Sequence, residues 1–153
     1  MTIPDFVTNI CKHSGIDPEE LKVELTETDD QLSVVVEVSP EDSGLLIGFH
    51  GETLQAMQRI TRIVYQETLG EKRLVININN YREQREEKIK DQVISSAQRV
   101  LETGRPATFS FLPPNERFII HSTISEMPEF ADLESVSEGE GKYRVLTIRL
   151  KQS

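Results

Sequence analysis

The sequence predicts an α+β fold in which two mixed units are joined by a long helix. Segments with apolar residues at every second position indicate strands, and segments with apolar residues three and four positions apart indicate helices. The charge also changes near residue 80, because residues 1–80 carry 6 basic and 14 acidic side chains whereas residues 81–153 carry 11 and 12. We therefore divide the chain into one unit of residues 1–80 and a second unit of residues 81–153.

The first unit is predicted to follow the order helix, strand, strand, helix, helix, strand. Its strands alternate strictly and lie at residues 21–25, 32–38 and 74–78. Its helices run from the Thr2 cap to Gly15, from Ser39 to the interruption at Gly48, and from Gly51 to Leu69. The last of these helices is expected to bury Leu54, Met57, Ile60 or Thr61, and Val64.

The second unit is predicted to follow the order helix, strand, helix, strand, strand. A long helix over residues 81–103 opens it, and a glycine and a proline follow that helix as stop signals. Residues 107–111 are strand-like, a helix runs from Pro113 to about Pro128, and two strands flank the glycine turn at residues 139–141. The long helix is expected to bury Ile89, Val93, Ala97, Val100 and Leu101.

Charge and composition exclude several classes of function. A net charge of −9 excludes a protein that coats nucleic acid through charge alone, so any nucleic-acid site must be local. No run approaches the roughly 18 apolar residues needed to cross a bilayer, and the N-terminus lacks a signal pattern. We therefore expect a cytoplasmic protein without membrane insertion. One cysteine and three histidines supply no zinc-ligand set, and we expect neither a metal nor another cofactor.

No arrangement in the sequence predicts catalysis. Ser122 and Ser125 lie near His121 in sequence, but neighbouring side chains on a helix point in different directions, and the spacing implies no orienting carboxylate. Cys11 lies on the apolar face of the first helix, where a cysteine is usually a small core residue. We therefore expect no catalytic residues and a protein that is not an enzyme.

The segment Gly48-Phe49-His50-Gly51 is the first candidate binding site. Two glycines around two residues permit a tight turn whose backbone can approach another molecule, and amides at the start of the following helix suit a phosphate. The same pattern also occurs as a simple turn between helices. Phe49 can stack on a base or pack on the neighbouring helix, and His50 can donate a hydrogen bond to phosphate. Glu52 competes for the same positive helix end.

The elements around this segment, with Ile47 before the first glycine and Glu52 after the second, resemble a type II K-homology (KH) domain over roughly residues 1 to 80. In KH domains the glycine loop holds the backbone of a short single strand, and the bases lie along an apolar groove beside it. Members that bind nucleic acid usually carry lysine or arginine between the glycines, where this chain has Phe49 and His50. A degenerate KH domain retained for protein contacts therefore stays open.

Arg117 and His121 form the second candidate site. They are four residues apart on a predicted helix and share one face, where a guanidinium fork and an imidazole can hold one phosphate. The other interpretation is that Arg117 pairs with Glu116 or Glu126 on a solvated surface.

Three segments of the second unit, residues 115–121, 132–140 and 143–148, together resemble the Arg-x-x-x-His domain, whose members bind single-stranded nucleic acid. A type II KH domain followed by this domain is similar to the bacterial Jag family, also called KhpB or EloR. Members of that family are cytoplasmic, SpoIIIJ-associated RNA-binding proteins linked to cell elongation and sporulation. Typical members carry an additional N-terminal Jag domain, and we expect this chain to lack it because it begins almost at once with the KH helix.

The resemblance implies RNA binding through two sites. The residues that carry over are Gly48, Phe49, His50 and Gly51 in the first site and Arg117 and His121 in the second. Single-stranded RNA is the implied partner, and single-stranded DNA and another KH-domain protein are further candidates. The long helix between the sites is expected to set their spacing, so that two weak contacts act together on one strand. The alternative function is a protein-interaction scaffold with a degenerate KH domain.

Other basic side chains are weaker candidates. Four of them either add phosphate contacts or act as edge charges that discourage aggregation of strands. These are Arg105, Lys142, Arg144 and Arg149. Four more alternate with acidic residues at the start of the long helix and are interpreted as ion pairs on the helix surface. These are Arg82, Arg85, Lys88 and Lys90.

Overall fold

The structure is a computed structural model that describes residues 1–152, and it divides between Arg82 and Glu83 into two compact units. The first unit contains helices α1 (Ile3–His13), α2 (Pro40–Ile47), α3 (Glu52–Val64) and α4 (Gln66–Leu69) and strands β1 (Lys22–Glu27), β2 (Gln31–Glu37) and β3 (Arg73–Ile78). The second unit contains most of α5 (Tyr81–Thr103), then β4 (Ala107–Ser110), α6 (Pro114–Glu126), β5 (Leu133–Glu138) and β6 (Val145–Leu150).

The sheet of the first unit has the order β1-β2-β3. β1 pairs with β2 in antiparallel register, as a hairpin requires, with Lys22 opposite Glu37. β2 pairs with β3 in parallel, with Leu32 opposite Leu74. A parallel pair needs a long crossover, and α2, α3 and α4 provide it.

The helices of the first unit cover one face of this sheet. The buried cluster includes Val34 and Val36 from β2, Ile76 from β3, Val7 from α1 and Leu54 from α3. The Thr2 cap of α1 is confirmed, because the Thr2 hydroxyl accepts from the Asp5 amide and the Asp5 carboxylate accepts from the Thr2 amide. Cys11 belongs to the same cluster, and burial raises the pKa of its thiol to about 11.

The predicted helix from Gly51 to Leu69 is wrong in one respect, because it breaks at Tyr65 into α3 and α4. The hydroxyl of Tyr65 donates to the carbonyl of Met1 at 3.1 Å, and its ring makes an edge contact with Phe6. Tertiary contacts to α1 therefore hold this residue, and no glycine or proline marks the break. α4 then contributes Leu69 to the core.

The buried face of α3 also differs in part from the prediction. Leu54, Met57 and Thr61 are buried, so Thr61 rather than Ile60 is the buried member of the predicted alternative, whereas Val64 is more than half exposed and its predicted burial is wrong. The hydroxyl of Thr61 donates to the carbonyl of Met57 at 2.7 Å, so this polar side chain is satisfied within the helix. In α5, the predicted core positions are buried except for Leu101, which is exposed.

The sheet of the second unit has the order β4-β6-β5 and is antiparallel throughout. Helices α5 and α6 cover it. The buried cluster between helices and sheet includes Val93 from α5, Ile120 and Ile124 from α6, and Leu146 and Ile148 from β6. The predicted order of helix, strand, helix, strand, strand is confirmed.

An ion pair links α5 to α6 within the second unit and corrects one prediction. Arg85 does not pair along the surface of its own helix. Its guanidinium contacts a carboxylate oxygen of Glu116 at 2.7 and 2.8 Å, and the Glu116 side chain is only 2% exposed. Lys90 and Glu86 do form the predicted pair on the surface of α5. Arg82 instead donates to the carbonyl of Ile76, inside the first unit.

Candidate nucleic-acid interface

The four-residue segment between α2 and α3 forms the tight turn that its two glycines permit. Gly48, His50 and Gly51 have positive φ angles of 75°, 52° and 81°. A Cβ atom on Gly48 would lie 2.2 Å from the hydroxyl oxygen of Thr53, and one on Gly51 would lie 3.0 Å from the ring of Tyr81. Both positions therefore require glycine for two reasons, the backbone angle and the space.

The two central residues of this turn differ in environment. Phe49 is 68% exposed, so the interpretation in which it packs on the neighbouring helix is wrong. Its ring centroid lies 4.1 Å from that of His50, at an angle of 35°. His50 is half-buried, and its buried Nδ1 has no hydrogen-bond partner within the described residues. The turn thus presents a free aromatic face to another molecule.

The turn leads directly into the N-terminus of α3. No side chain caps this end of the helix, because Gly51 occupies the capping position. The amides of Gly51 and Glu52 donate to the carbonyls of Gly48 and Phe49 within the turn, so this end of α3 attracts an anion through the helix dipole rather than through these two amides. Glu52, the first helical residue, is exposed and places its carboxylate in the same first turn.

Sequence analysis missed a polar contact at the outer edge of β3. The amide of Ile76 donates to the side-chain oxygen of Gln58 at 2.9 Å, and the carbonyl of Ile76 accepts from Arg82 at 3.0 Å. Arg82 also donates to the same Gln58 oxygen at 2.8 Å. These side chains satisfy the backbone groups that an edge strand otherwise presents to solvent. No pattern in the sequence joins residues so far apart.

Arg117 lies in the first turns of α6 and is not neutralised by a neighbouring carboxylate. One nitrogen of its guanidinium donates to the carbonyl of Leu112 at 2.6 Å. Glu116, one of the two predicted alternative partners, is paired with Arg85 instead, and no ion pair of Arg117 occurs within residues 1–152. The alternative interpretation, a simple surface pair with Glu116 or Glu126, is therefore wrong, and the cation keeps donors for a ligand.

His121 lies one turn further along α6, as the spacing predicts, and it contacts β5. Its Nδ1 and the hydroxyl of Ser135 form a hydrogen bond of 2.6 Å. Burial lowers the pKa of His121 below its ordinary value, and the charges of Arg117 and Arg144 lower it further. The structure thus brings both motif residues together and adds Arg144 to their surroundings.

The weaker basic candidates separate by their partners. Arg149 is bound to Glu134 on the neighbouring strand at 2.8 Å, but β6 is the central strand of the sheet, so this arginine forms a cross-strand ion pair and the interpretation as an edge charge is wrong. Lys142 lies 5.3 Å from the ring centroid of Tyr143. Arg144 donates to the hydroxyl of Ser137 at 2.6 Å and affects His121 electrostatically. The sequence ranked these residues equally, and only their position on the sheet distinguishes them.

Two other kinds of site are absent from the described residues, namely a membrane-spanning helix and a cluster of metal-binding side chains. No helix in residues 1–152 combines the length and the apolar character that are needed to span a membrane. Nor does that part of the chain bring together three or more side chains of the histidine, cysteine, aspartate and glutamate types in a way that could hold a metal ion.

Comparison with known families matches both units. A family model described as the KH domain of KhpA/KhpB matches residues 4–78, and a model described as the R-3-H domain, the Arg-x-x-x-His domain, matches residues 83–150. The chain therefore belongs to the class of proteins in which a KhpA/KhpB-type KH domain is followed by an R-3-H domain. The predicted α+β fold and the resemblance to the Jag/KhpB family are confirmed.

Individual relatives carry one particular name. RNA-binding protein KhpB of Bacillus subtilis is 31% identical over 132 residues, which are 86% of this chain and 63% of that protein. The proteins of the same name from Clostridium symbiosum and Streptococcus pneumoniae are 29% and 30% identical over 87% and 95% of this chain. The chain spans 58% and 44% of the length of those two relatives.

Proposed function

We propose that this protein binds single-stranded RNA through its phosphate backbone, using the turn at residues 48–51 and the Arg117 and His121 face of α6. The observation that carries the proposal is that Arg117 has no carboxylate partner in the described part of the chain. It lies one helical turn from His121. A phosphate is the ligand that such a guanidinium and imidazole pair suits best. The relatives named RNA-binding protein KhpB support RNA as the nucleic acid.

The acidity of the chain is compatible with this function because the charge is unevenly distributed. Residues 1–80 carry a net charge of −8, and residues 81–153 carry a net charge of −1. Within the second unit, Arg85 and Arg149 are neutralised by glutamates, whereas Arg117 and Arg144 are not. A local group of cations can attract a phosphate at short range even where the net charge repels it, since salt screens distant charges.

The turn at residues 48–51 is proposed as the weaker of the two contacts. It offers the positive end of the α3 dipole and the exposed ring of Phe49, but no fixed positive charge lies between its glycines. Two weak contacts on one strand reinforce each other through effective concentration when the strand reaches both. We propose single-stranded DNA as a further ligand, since both proposed contacts are made to the phosphate backbone.

We further propose a domain boundary near residue 80, a cytoplasmic setting, and a binding role without catalysis. The two family matches, residues 4–78 and 83–150, support a boundary between them. KH and R-3-H domains are binding modules, which supports the third point. A further KH-domain protein stays a candidate partner of the first unit.

Titration of a labelled single-stranded RNA with the wild-type protein and two variants tests the proposal. We expect Arg117→Ala to weaken binding about tenfold for all RNA sequences, since it removes a charge-assisted contact to phosphate. The slope of log affinity against log salt should fall by about 0.7, the value for one phosphate of a single strand. Arg149→Ala removes the same charge from a residue already paired with Glu134, and it should change affinity less than about twofold.

The same titration distinguishes a protein-interaction scaffold from an RNA-binding protein. A scaffold would give no saturable, salt-sensitive signal with any of the three proteins at about 50 or about 200 mM salt. That result, with all three proteins folded by circular dichroism, would overturn the proposed function.

A further inference from the structure

The hydroxyl groups of Ser135 and Ser137 lie on the same face of the second sheet as its core. Ser135 is opposite Ile148 and Ser137 is opposite Leu146, and both partners are fully buried. Residues directly opposite each other in antiparallel strands share a face, and so do residues two apart on one strand. The two serines therefore form a polar row on the helix-covered face of β5. A row of hydroxyls is unusual there, because strand residues on a core face are usually apolar.

Each of these serines is bound to a basic side chain. Ser135 shares a hydrogen bond of 2.6 Å with Nδ1 of His121, and Ser137 accepts one of 2.6 Å from Nε of Arg144. The row thus holds the imidazole from α6 and the guanidinium from the turn before β6 two residues apart on one strand. The other face of the same strands carries the pair of Glu134 and Arg149.

A glycine allows Arg144 to take this position. Gly139 has a φ angle of 97°, and a Cβ atom there would lie 3.1 Å from the carbonyl oxygen of Tyr143 and 3.3 Å from Cα of Arg144. The turn after β5 therefore brings the chain at residues 143–144 close to its own start. The carbonyl of Gly139 accepts a second hydrogen bond from Arg144 at 3.3 Å.

The charged groups that face His121 are both positive. They are Arg117 on its own helix and Arg144 from the turn before β6, and β5 contributes only the uncharged Ser135. Neither arginine forms an ion pair with a carboxylate within residues 1–152. Two uncompensated cations around an imidazole disfavour its protonation in the free protein, and a bound anion removes that penalty.

We infer that Arg117, His121 and Arg144, with the hydroxyls of Ser135 and Ser137, form one site for an RNA backbone phosphate, and that His121 gains a proton when the phosphate binds. This inference rests on the proposed function. It adds Arg144 to the binding residues and couples binding to the uptake of a proton by His121. Arg144 is a binding residue, whereas the two serines are positioning residues that fix the imidazole and the guanidinium.

The sign of the pH dependence follows from linkage. The pKa of His121 lies below its ordinary value in the free protein and is raised when a phosphate is bound. Between these two pKa values the complex holds one more proton than the separated partners, so affinity rises as pH falls. Affinity changes by up to about tenfold per pH unit in that window. It becomes constant below the pKa that His121 has in the free protein.

The test measures the affinity of the full chain for a 5′-hydroxyl oligouridine from about pH 7.5 to about pH 5.5, the range where histidine titrates. The uracil base does not titrate there, and the missing terminal phosphate leaves only backbone phosphates as ligands. We expect binding by the wild type to tighten several-fold as pH falls. His121→Asn, which keeps a polar atom near Ser135, should abolish this dependence, whereas His13→Gln, at the exposed end of α1 and outside both proposed contacts, should leave it intact.

Arg144→Gln tests the third member of the site. We expect about tenfold weaker binding at pH 7 and an imidazole of His121 that titrates at higher pH in the free variant, read from its NMR signals. Arg149→Gln is the matched control and should change neither quantity. If Arg144 had only a structural role, its replacement by glutamine would leave the pKa of His121 unchanged.

Each outcome has a separate meaning. If Arg117→Ala weakens binding but Arg144→Gln does not, the three-residue site is wrong and the proposed function survives. If binding is independent of pH, or its pH dependence persists in His121→Asn, the uptake of a proton by His121 is wrong. If the wild type binds no RNA at any pH, the proposed function itself fails, and the inference fails with it.

Discussion

At the scale of single residues, the partners of each arginine decide its role. Arg85 and Arg149 are bound to glutamates, so their charge is compensated within the fold. Arg117 and Arg144 are bound to a carbonyl and a hydroxyl, which orient the guanidinium but leave its charge uncompensated. An uncompensated and oriented cation loses little entropy when it binds a phosphate, which favours these two positions for a contact.

His50→Lys tests whether the turn at residues 48–51 contacts RNA. Lysine adds a full positive charge within the turn, and we expect affinity to rise several-fold at low salt, with a salt slope steeper by about 0.7. His13→Lys makes the same change at the exposed end of α1 and should alter affinity less than about twofold. Fluorescence titration with one labelled RNA measures both. Equal affinities for the two variants would mean that the turn does not touch the strand.

At the scale of elements, α5 and α6 are held together by a buried ion pair as well as by apolar packing. Glu116 is 2% exposed, and within residues 1–152 its carboxylate pairs with Arg85 on α5. The second carboxylate oxygen is buried and has no hydrogen-bond partner within residues 1–152. Arg117 follows Glu116 directly, so the pair also anchors the first turn of the helix that presents the binding residues.

Removing Glu116 should destabilise the second unit far more than removing an exposed glutamate. Glu116→Ala leaves Arg85 largely buried without a partner, and we expect the free energy of unfolding to fall by about 3 kcal/mol. Glu86→Ala, which breaks the exposed pair with Lys90, should cost less than about 0.5 kcal/mol. Urea denaturation monitored on the second unit measures both. Similar losses for the two variants would show that the buried pair contributes no more than a surface pair.

At the scale of the whole molecule, the chain consists of two compact units, each with its own core and one proposed contact. A KH loop holds about four nucleotides of a single strand. A short RNA can therefore occupy only one contact at a time, whereas a longer one can occupy both.

RNA length should therefore control affinity. We expect an RNA of about 25 nucleotides to bind more than about tenfold tighter than one of about 6 nucleotides. This difference is counted after correction for the number of registers, that is, the positions along the RNA at which a single contact can bind. Arg117→Ala should reduce this difference, because it weakens one of the two linked contacts. Competition titrations with unlabelled oligouridines of graded length measure it. An affinity that grows only in proportion to the number of registers would contradict binding at two linked contacts.

Much of the fold follows from local patterns in the sequence. The Thr2 cap, the alternating strands and the uninterrupted α5 were all predicted, because each depends on residues within one or two turns of each other. The break at Tyr65 was not predicted, since it arises from contacts with Met1 and Phe6. The exposure of Val64 was missed for a related reason, because the phase of α3 is set where it packs on the sheet.

The sequence by itself determined the order of the elements, the glycine turn and the placement of Arg117 and His121 on one helical face. Only the tertiary structure decided which cations are compensated, because Arg85 meets Glu116 across 31 positions of chain and Arg149 meets Glu134 across 15. Helical and strand periodicity act over a few residues, whereas the charge balance of a site depends on side chains brought together by packing. For that reason the contribution of Arg144 to the surroundings of His121 became visible only in three dimensions.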